Sequence, residues 1–371
     1  MSKLNLVIAD SDEEYLNGVV TFLSEKYLTR FKILSFSQKE SLMNFISTHT
    51  EKLDILLISS ELYFEEISDL DIALVGILST GRLSREYNGC EIVLKYQLGE
   101  NLVKNILNLY SDKTNEIIIT KGQNETKVVA VYSSSGGSGK TTISYGCSVK
   151  SVHHGRKAFY LNLEESASTP LLFGMSSQYN LSHVLYYLKS KNKSLSLKIE
   201  GIKVIDQETG VHYFNPPVNH LELLEIEPSE YFDLISHMKD MNQYEAIFVD
   251  MPCFIEKRMM AVLDASDTIF YVLNPNQLSK FKLYNFLSEL DILDKAYKQK
   301  LLSKTVFILN RAFNGEEGYD IFRDILDSIG MNISYVLPES SNLYTYQNNR
   351  IVLDLSGKFG RALEEVVERV I

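Results

Sequence analysis

The run Ser133-Ser134-Ser135-Gly136-Gly137-Ser138-Gly139-Lys140-Thr141-Thr142 brings together small side chains, an ammonium and hydroxyls in the order that polyphosphate binding requires. Consecutive small residues let backbone N–H groups converge on one concavity. A helix starting at the end of the run adds its positive N-terminal dipole, and a lysine reaches the outer phosphates. Thr141, directly after that lysine, is placed to ligate Mg2+. The spacing nominates Gly136, Gly137, Ser138, Gly139, Lys140, Thr141 and Thr142 as contacts for a nucleotide, with ATP and Mg2+ as the expected ligands.

Composition alone would make this stretch a flexible linker. Its surroundings argue otherwise: an apolar strand, Val128–Tyr132, precedes it, and a helix runs from Thr141 to about His154 and stops at Gly155, a normal C-terminal glycine position. The general Walker pattern asks for glycine where this chain has Ser134. The deviant form K-G-G-x-G-K-T-T fits with one departure, Ser135 in place of its first lysine.

Carboxylates follow at strand ends. The strand Lys157–Leu163 leads into Glu164, which can orient a water against a terminal phosphate or simply cap a helix. Ala246-Ile247-Phe248-Val249 runs into Asp250-Met251-Pro252, the Walker B arrangement in which a carboxylate at a strand edge holds magnesium. Lys140, Glu164 and Asp250 are thus the candidate catalytic residues, with Thr141 and Asp250 on the metal. Two further strands, Thr268–Leu273 and Thr305–Leu309, place Asn310-Arg311 at the same rim. An amide donor and acceptor side by side suit the edges of adenine. Pro338, ending a last strand, joins Asn310 and Arg311 as a candidate base contact.

The 371 residues exceed one ordinary core and give two domains at about 150 residues each. Residues 1–112 alternate strands and helices: Leu4–Ala9, a helix bearing Tyr15, Val19, Phe22 and Leu23 on one face, Phe31–Phe36, a helix around Leu42–Ile46, then Asp54–Ile58, Ile72–Leu78 and Glu91–Leu94, and a helix over about 100–110. That order predicts a doubly wound parallel sheet. Residues 113–126 read as a polar linker with a short edge strand at Ile117–Ile119, and 127–371 as a second α/β domain with a parallel sheet. The closing segment from Phe359 to Ile371 has helical spacing and balanced charge, which favours core packing over a membrane anchor.

No apolar run reaches the roughly 18 residues needed to cross a bilayer, and Met1-Ser2-Lys3-Leu4 opens into a strand, so the expectation is a cytoplasmic protein. Cys90, Cys147 and Cys253 lack metal-ligand spacing and read as free thiols. A net charge of −11 opposes binding to nucleic acid or anionic lipid. The one basic stretch, Lys189–Lys198, reads as a solvated loop or a docking segment.

The first domain resembles the receiver domain of two-component signalling. Asp10 and Asp12 match its metal-binding acids, Ser79 or Thr80 its switch hydroxyl, and Lys95 its lysine. Ser59 stands where the family carries the phosphorylated aspartate, and a serine cannot form an acyl phosphate. The resemblance therefore implies a pseudo-receiver; a flavodoxin-like domain kept for packing is the plainer alternative. The second domain resembles the MinD/ParA group of deviant Walker ATPases through the loop, Asn162/Glu164, Asp250-x-Pro252 and Asn310-Arg311. Thr169-Pro-Leu-Leu-Phe-Gly174, Leu181-Ser-His-Val-Leu185 and Phe214-Asn-Pro-Pro217 are similar to stretches of its TadZ/CpaE branch, which also carries a receiver-like domain on the N-terminal side. That resemblance implies a homodimeric scaffold or localisation protein of Flp-type (tight adherence) pilus assembly, working with other pilus-assembly proteins at the cell pole. In the group, the lysine matched by Ser135 crosses the dimer interface to the partner's nucleotide, so MgATP binding with slow or absent hydrolysis is expected. The competing class is a DNA- or cargo-partitioning ParA-type ATPase, which needs a basic face. Metabolic kinase and iron–sulfur reductase readings find no acceptor motif and no cluster ligands.

Overall fold

The computed structural model describes residues 3–81, 87, 89–114, 124–174, 179–190, 195–254, 256–312 and 315–371. The expected strand at Ile117–Ile119 and residues 191–194 of the lysine-rich stretch lie outside these. The chain divides into two compact units, Met1–Thr120 with Lys191–Ile202, and Lys121–Ser190 with Lys203–Ile371.

In the first unit β1 (Leu4–Ala9), β2 (Phe31–Phe36), β3 (Ile55–Ser59), β4 (Leu74–Ser79) and β5 (Glu91–Leu94) form a parallel sheet in the order β2-β1-β3-β4-β5. This is the flavodoxin-like order. The central strands are apolar on both faces because helices cover the sheet, as in β3, where every residue is buried. Helix α1 (Glu13–Lys26) starts at Asp12, whose side chain accepts from the Tyr15 N–H, and α2 (Lys39–Thr48) and α3 (Gly99–Lys113) complete the wound chain.

The second unit starts with β6 (Lys127–Tyr132), α4 (Lys140–His153) and β7 (Ala158–Asn162), followed by α5 (Thr169–Phe173) and α6 (Leu181–Lys189). The next helix, α7 (Leu195–Ile202), belongs to the first unit. There Leu197 joins the apolar core, Lys198 Nζ reaches Asp112 at 3.1 Å, and Asn108 Nδ2 donates to the Gly201 carbonyl at 3.3 Å. The solvated-loop reading of Lys189–Lys198 is thereby corrected for its last four residues: Lys198 is buried, with its charge paired.

The chain then returns through β8 (Val204–Ile205), β9 (His212–Tyr213), α8 (Leu221–Leu224), α9 (Pro228–Asp240), β10 (Ala246–Asp250), α10 (Lys257–Ala265) and β11 (Thr268–Leu273). It continues with α11 (Gln277–Leu293), α12 (Lys295–Leu302), β12 (Thr305–Ala312), α13 (Gly315–Ser328), β13 (Ile333–Pro338), the hairpin β14 (Tyr344–Gln347) and β15 (Arg350–Leu353), and α14 (Lys358–Val370). The sheet order is β13-β12-β11-β6-β10-β7-β9-β8, parallel except for the β8–β9 pair. Successive strands depart to opposite sides of β6, so a crevice opens beyond the carboxyl ends of β6 and its neighbours. Helix α14 buries Phe359, Leu363, Val366 and Val367 against the core, as its spacing predicts. No helix among the described residues is long and apolar enough to cross a membrane.

Candidate nucleotide site

The loop between β6 and α4 turns sharply, with Gly137 at φ +67° and Gly139 at φ +97°, the left-handed region open to glycine. A Cβ on Gly139 would collide with the Asn310 amide. The Asn310 side chain is buried, and its Nδ2 donates to the Ser138 carbonyl at 2.8 Å, so this candidate base contact also buttresses the loop. Arg311, exposed and at φ +57°, sits on a bulge of β12, and Ala312 pairs with Pro338 beside it. Arg311 and Pro338 thus share a rim while Asn310 faces inward.

Ser133 Oγ accepts from the Ser135 N–H at 3.1 Å, and Ser134 shares a hydrogen bond of 2.6 Å with the Tyr271 hydroxyl. Ser135 is 6% exposed and its Oγ has no partner among the described residues; Ser138 Oγ is likewise buried and unpaired. Thr142 pairs its hydroxyl with Tyr344 at 2.6 Å, so its part in a phosphate site falls to the backbone. Cys253 lies beside Gly136, whereas Cys147 is fully buried, which pushes its thiol up.

Three charged groups meet below the loop. Lys140 Nζ stands 3.9 Å from Glu164 Oε1, and Asp250, wholly buried at the end of β10, takes the Tyr160 hydroxyl on Oδ2 at 2.8 Å. Burial first, and the Glu164 carboxylate second, push Asp250 up to about 7; the Tyr160 hydrogen bond, the nearby Thr141 hydroxyl and the Lys140 charge act against this. Burial also raises Glu164, opposed by Lys140. Two carboxylates in a low-dielectric crevice with a single ammonium form a site short of positive charge.

The donor set fits a divalent cation. Asp250 Oδ1 is buried without a hydrogen bond among the described residues, and the Thr141 hydroxyl lies near enough to act on both Asp250 and Glu164. A hard cation takes oxygen ligands of this kind. The structure therefore gathers Lys140, Thr141, Glu164 and Asp250 around the glycine loop. Tyr160 escaped the sequence reading. Strand alternation was the signal that could have found it, because a residue two before Asn162 shares its face.

Residues 126–303 match the family model described as AAA domain. No curated protein matches the chain. Among solved structures, a ParA family ATPase from Chlorobium tepidum TLS is 19% identical, covering 66% of this chain and 99% of that one with a TM-score of 0.53. The septum site-determining protein MinD complexed with Mg-ADP from Pyrococcus horikoshii OT3 is 20% identical, covering 66% and 96% with a TM-score of 0.51. The second unit has a MinD/ParA-like P-loop fold. Cobyrinic acid a,c-diamide synthase from Mycobacterium smegmatis, with bound ATP analog and magnesium, shares the fold at 15% identity, covering 66% and 93% with a TM-score of 0.51. Within this MinD/ParA-like fold, Ser135 is the departure of the loop from the deviant Walker pattern.

Proposed function

We propose that this protein is a MgATP-binding switch with slow or absent hydrolysis, serving as a homodimeric localisation and scaffold protein of Flp-type pilus assembly. The observation that carries the nucleotide reading is the buried, charge-deficient cluster of Lys140, Glu164 and Asp250 beneath the glycine loop. Structures sharing the fold hold Mg-ADP, or an ATP analog with magnesium. ATP supplies the transferable phosphoryl group, and Mg2+ neutralises its charge.

This chain's residues then divide the work. Lys140 would turn from Glu164 toward the anion, Thr141 and Asp250 Oδ1 would hold the cation, and Glu164 would orient a water. Asn310, Arg311 and Pro338 are the candidates for the base. Ser135 supports the slow-turnover part, since a short buried hydroxyl cannot carry charge to a partner's nucleotide. Ordering of the segments after Glu164 and Asp250 on binding would alter an interaction surface.

The pilus assignment rests on the similarity of Thr169–Gly174, Leu181–Leu185 and Phe214–Pro217 to the TadZ/CpaE branch. The flavodoxin-like unit, read as a pseudo-receiver that docks partners at the cell pole, adds to it. The protein is then cytoplasmic, reaching the membrane only through partners. Net charge of −11 weighs against stable DNA binding and the partitioning role.

Calorimetry with ATP, with and without Mg2+, tests the nucleotide reading, and absence of heat from well-folded protein would remove it. Phosphate release faster than about 1 s⁻¹, an ordinary enzymatic rate, and lost in Lys140→Ala, would remove the slow-turnover part. Fluorescent protein remaining diffuse in piliated cells would count against the polar scaffold.

A further inference from the structure

Strands β7 and β10 are parallel neighbours in which Asp250 pairs with Asn162 and Phe248 with Tyr160. Tyr160 and Asn162, two residues apart, share a face of β7. The Tyr160 ring is buried and held by Tyr145, edge-on at 6.4 Å between centroids, and by Phe173 at 5.6 Å. A chain of directed hydrogen bonds runs along this face. The Glu164 N–H donates to Asn162 Oδ1 at 2.8 Å, Asn162 Nδ2 donates to Tyr160 Oη at 3.1 Å, and Tyr160 donates to Asp250 Oδ2 at 2.8 Å.

Each link fixes the next. The Glu164 backbone sets which end of the Asn162 amide faces Tyr160, so the phenol oxygen receives a donor. A phenol owns one hydrogen. With its lone pair engaged, that hydrogen is directed at Asp250. The same geometry accounts for asparagine at position 162. An aspartate there would have no N–H to offer, would compete for the Tyr160 hydrogen, and would add a third anion beside Asp250 and Glu164.

We propose that Tyr160, aimed by Asn162, is a positioning residue that pins Asp250 Oδ2 and reserves the unpaired Oδ1 for the divalent cation of the bound nucleotide. The inference rests on the MgATP reading above. Partners that orient a metal's carboxylate ligand from behind tune its affinity by about 10–100-fold.

The test titrates ATP into full-length wild-type and Tyr160→Phe protein by calorimetry, in EDTA and over a series of Mg2+ concentrations. The variant removes one oxygen and keeps the ring in its aromatic cluster. The expected result is unchanged ATP affinity in EDTA and a rise of about tenfold in the Mg2+ concentration giving half the metal-dependent gain. A second variant, Asn162→Ala, frees the phenol to rotate and should move the Mg2+ midpoint in the same direction by a smaller factor. Wild-type Mg2+ dependence in both variants overturns the proposal, as does an equal loss in EDTA and Mg2+, which marks general damage to the site. Wild-type protein that binds no ATP overturns the parent reading as well, so the two failures are told apart.

Discussion

Each unit of this chain ends its parallel strands in a cluster of two acids and one lysine, and the two clusters differ in how closely the lysine pairs with the buried acid. In the first unit Lys95 Nζ lies 2.8 Å from the buried Asp10 Oδ2 and 4.0 Å from the more exposed Asp12. Asp12 also accepts the Tyr15 N–H and the Tyr96 hydroxyl, each at 3.0 Å. Ser79, buried at the end of β4, donates to the Gly81 carbonyl, while Thr80 is exposed. Ser59 is buried with no partner for its Oγ among the described residues. In the second unit the lysine stands off at 3.9 Å, Asp250 Oδ1 is unpaired, and burial raises both acids. A buried acid ion-paired at contact distance has its charge met within the fold. One that keeps a bare oxygen stores a cost that a cation relieves, which makes the second unit the candidate cation site.

The largest expected break in that contrast is Lys140→Ala. Phosphate loses its charge-assisted donor and the crevice keeps two unopposed acids, so ATP affinity should fall by about 100-fold or more, near 3 kcal/mol. Calorimetry measures it, and hydrogen exchange of β1 and β3 peptides should not change. Asp10→Asn strikes the other cluster. It leaves Lys95, itself largely buried, without its close partner, at a cost of about 3 kcal/mol to the first unit. Faster exchange confined to peptides of β1 and β5 is the expected readout.

Asp250→Asn should do the reverse and stabilise the nucleotide-free protein. Asp250 binds its proton more tightly folded than unfolded, since its pKa rises from 3.8 to about 7. Between those values the native state holds the extra proton, so stability falls as pH rises and the penalty is complete above about pH 7. The amide removes that penalty, a gain of up to about 4 kcal/mol at pH 8 that fades toward pH 4. Urea denaturation followed through β10 peptides reads it. A variant less stable than wild type at pH 8 would mean that Asp250 is satisfied without a ligand, and the contrast would dissolve.

What the sequence disclosed, and what it withheld, follows the same division between local and distant causes. The strand, glycine turn and helix around Lys140 were legible because φ-positive glycines and a following lysine are demands of consecutive residues. Asp250 was legible because four apolar residues ending in an acid fix their own geometry. The bond from Asn310 to the Ser138 carbonyl was not legible, because its partner lies far away in sequence and no spacing rule states that an amide will brace a loop. The stretch Lys189–Lys198 reads as a solvated loop because its lysines mask the apolar residues at its end; only packing against α3 shows why Leu197 is buried. Tyr160 drew no notice within the strand Lys157–Leu163, because its hydroxyl gains meaning only from Asp250 on the neighbouring strand.

The smallest effect expected sharpens the contrast through its sign. Asp12 is an exposed N-cap whose pKa is lowered, first by the Tyr15 N–H and next by the Tyr96 hydroxyl. Its unfolded state binds the proton more readily, so stability here rises with pH. The contribution is fully present above the ordinary aspartate pKa and is lost as pH falls through the lowered folded value. Asp12→Asn keeps an oxygen that can cap α1 and removes the titration. Acid unfolding of the first unit, followed through α1 peptides, should therefore become less steep in the variant while the neutral-pH difference stays small. The acid of the first cluster and the acid of the second would then respond to pH in opposite directions. If α1 instead loosened as pH rose from acid to neutral, Asp12 would share the frustration of Asp250, and the first unit would regain a claim to a bound cation.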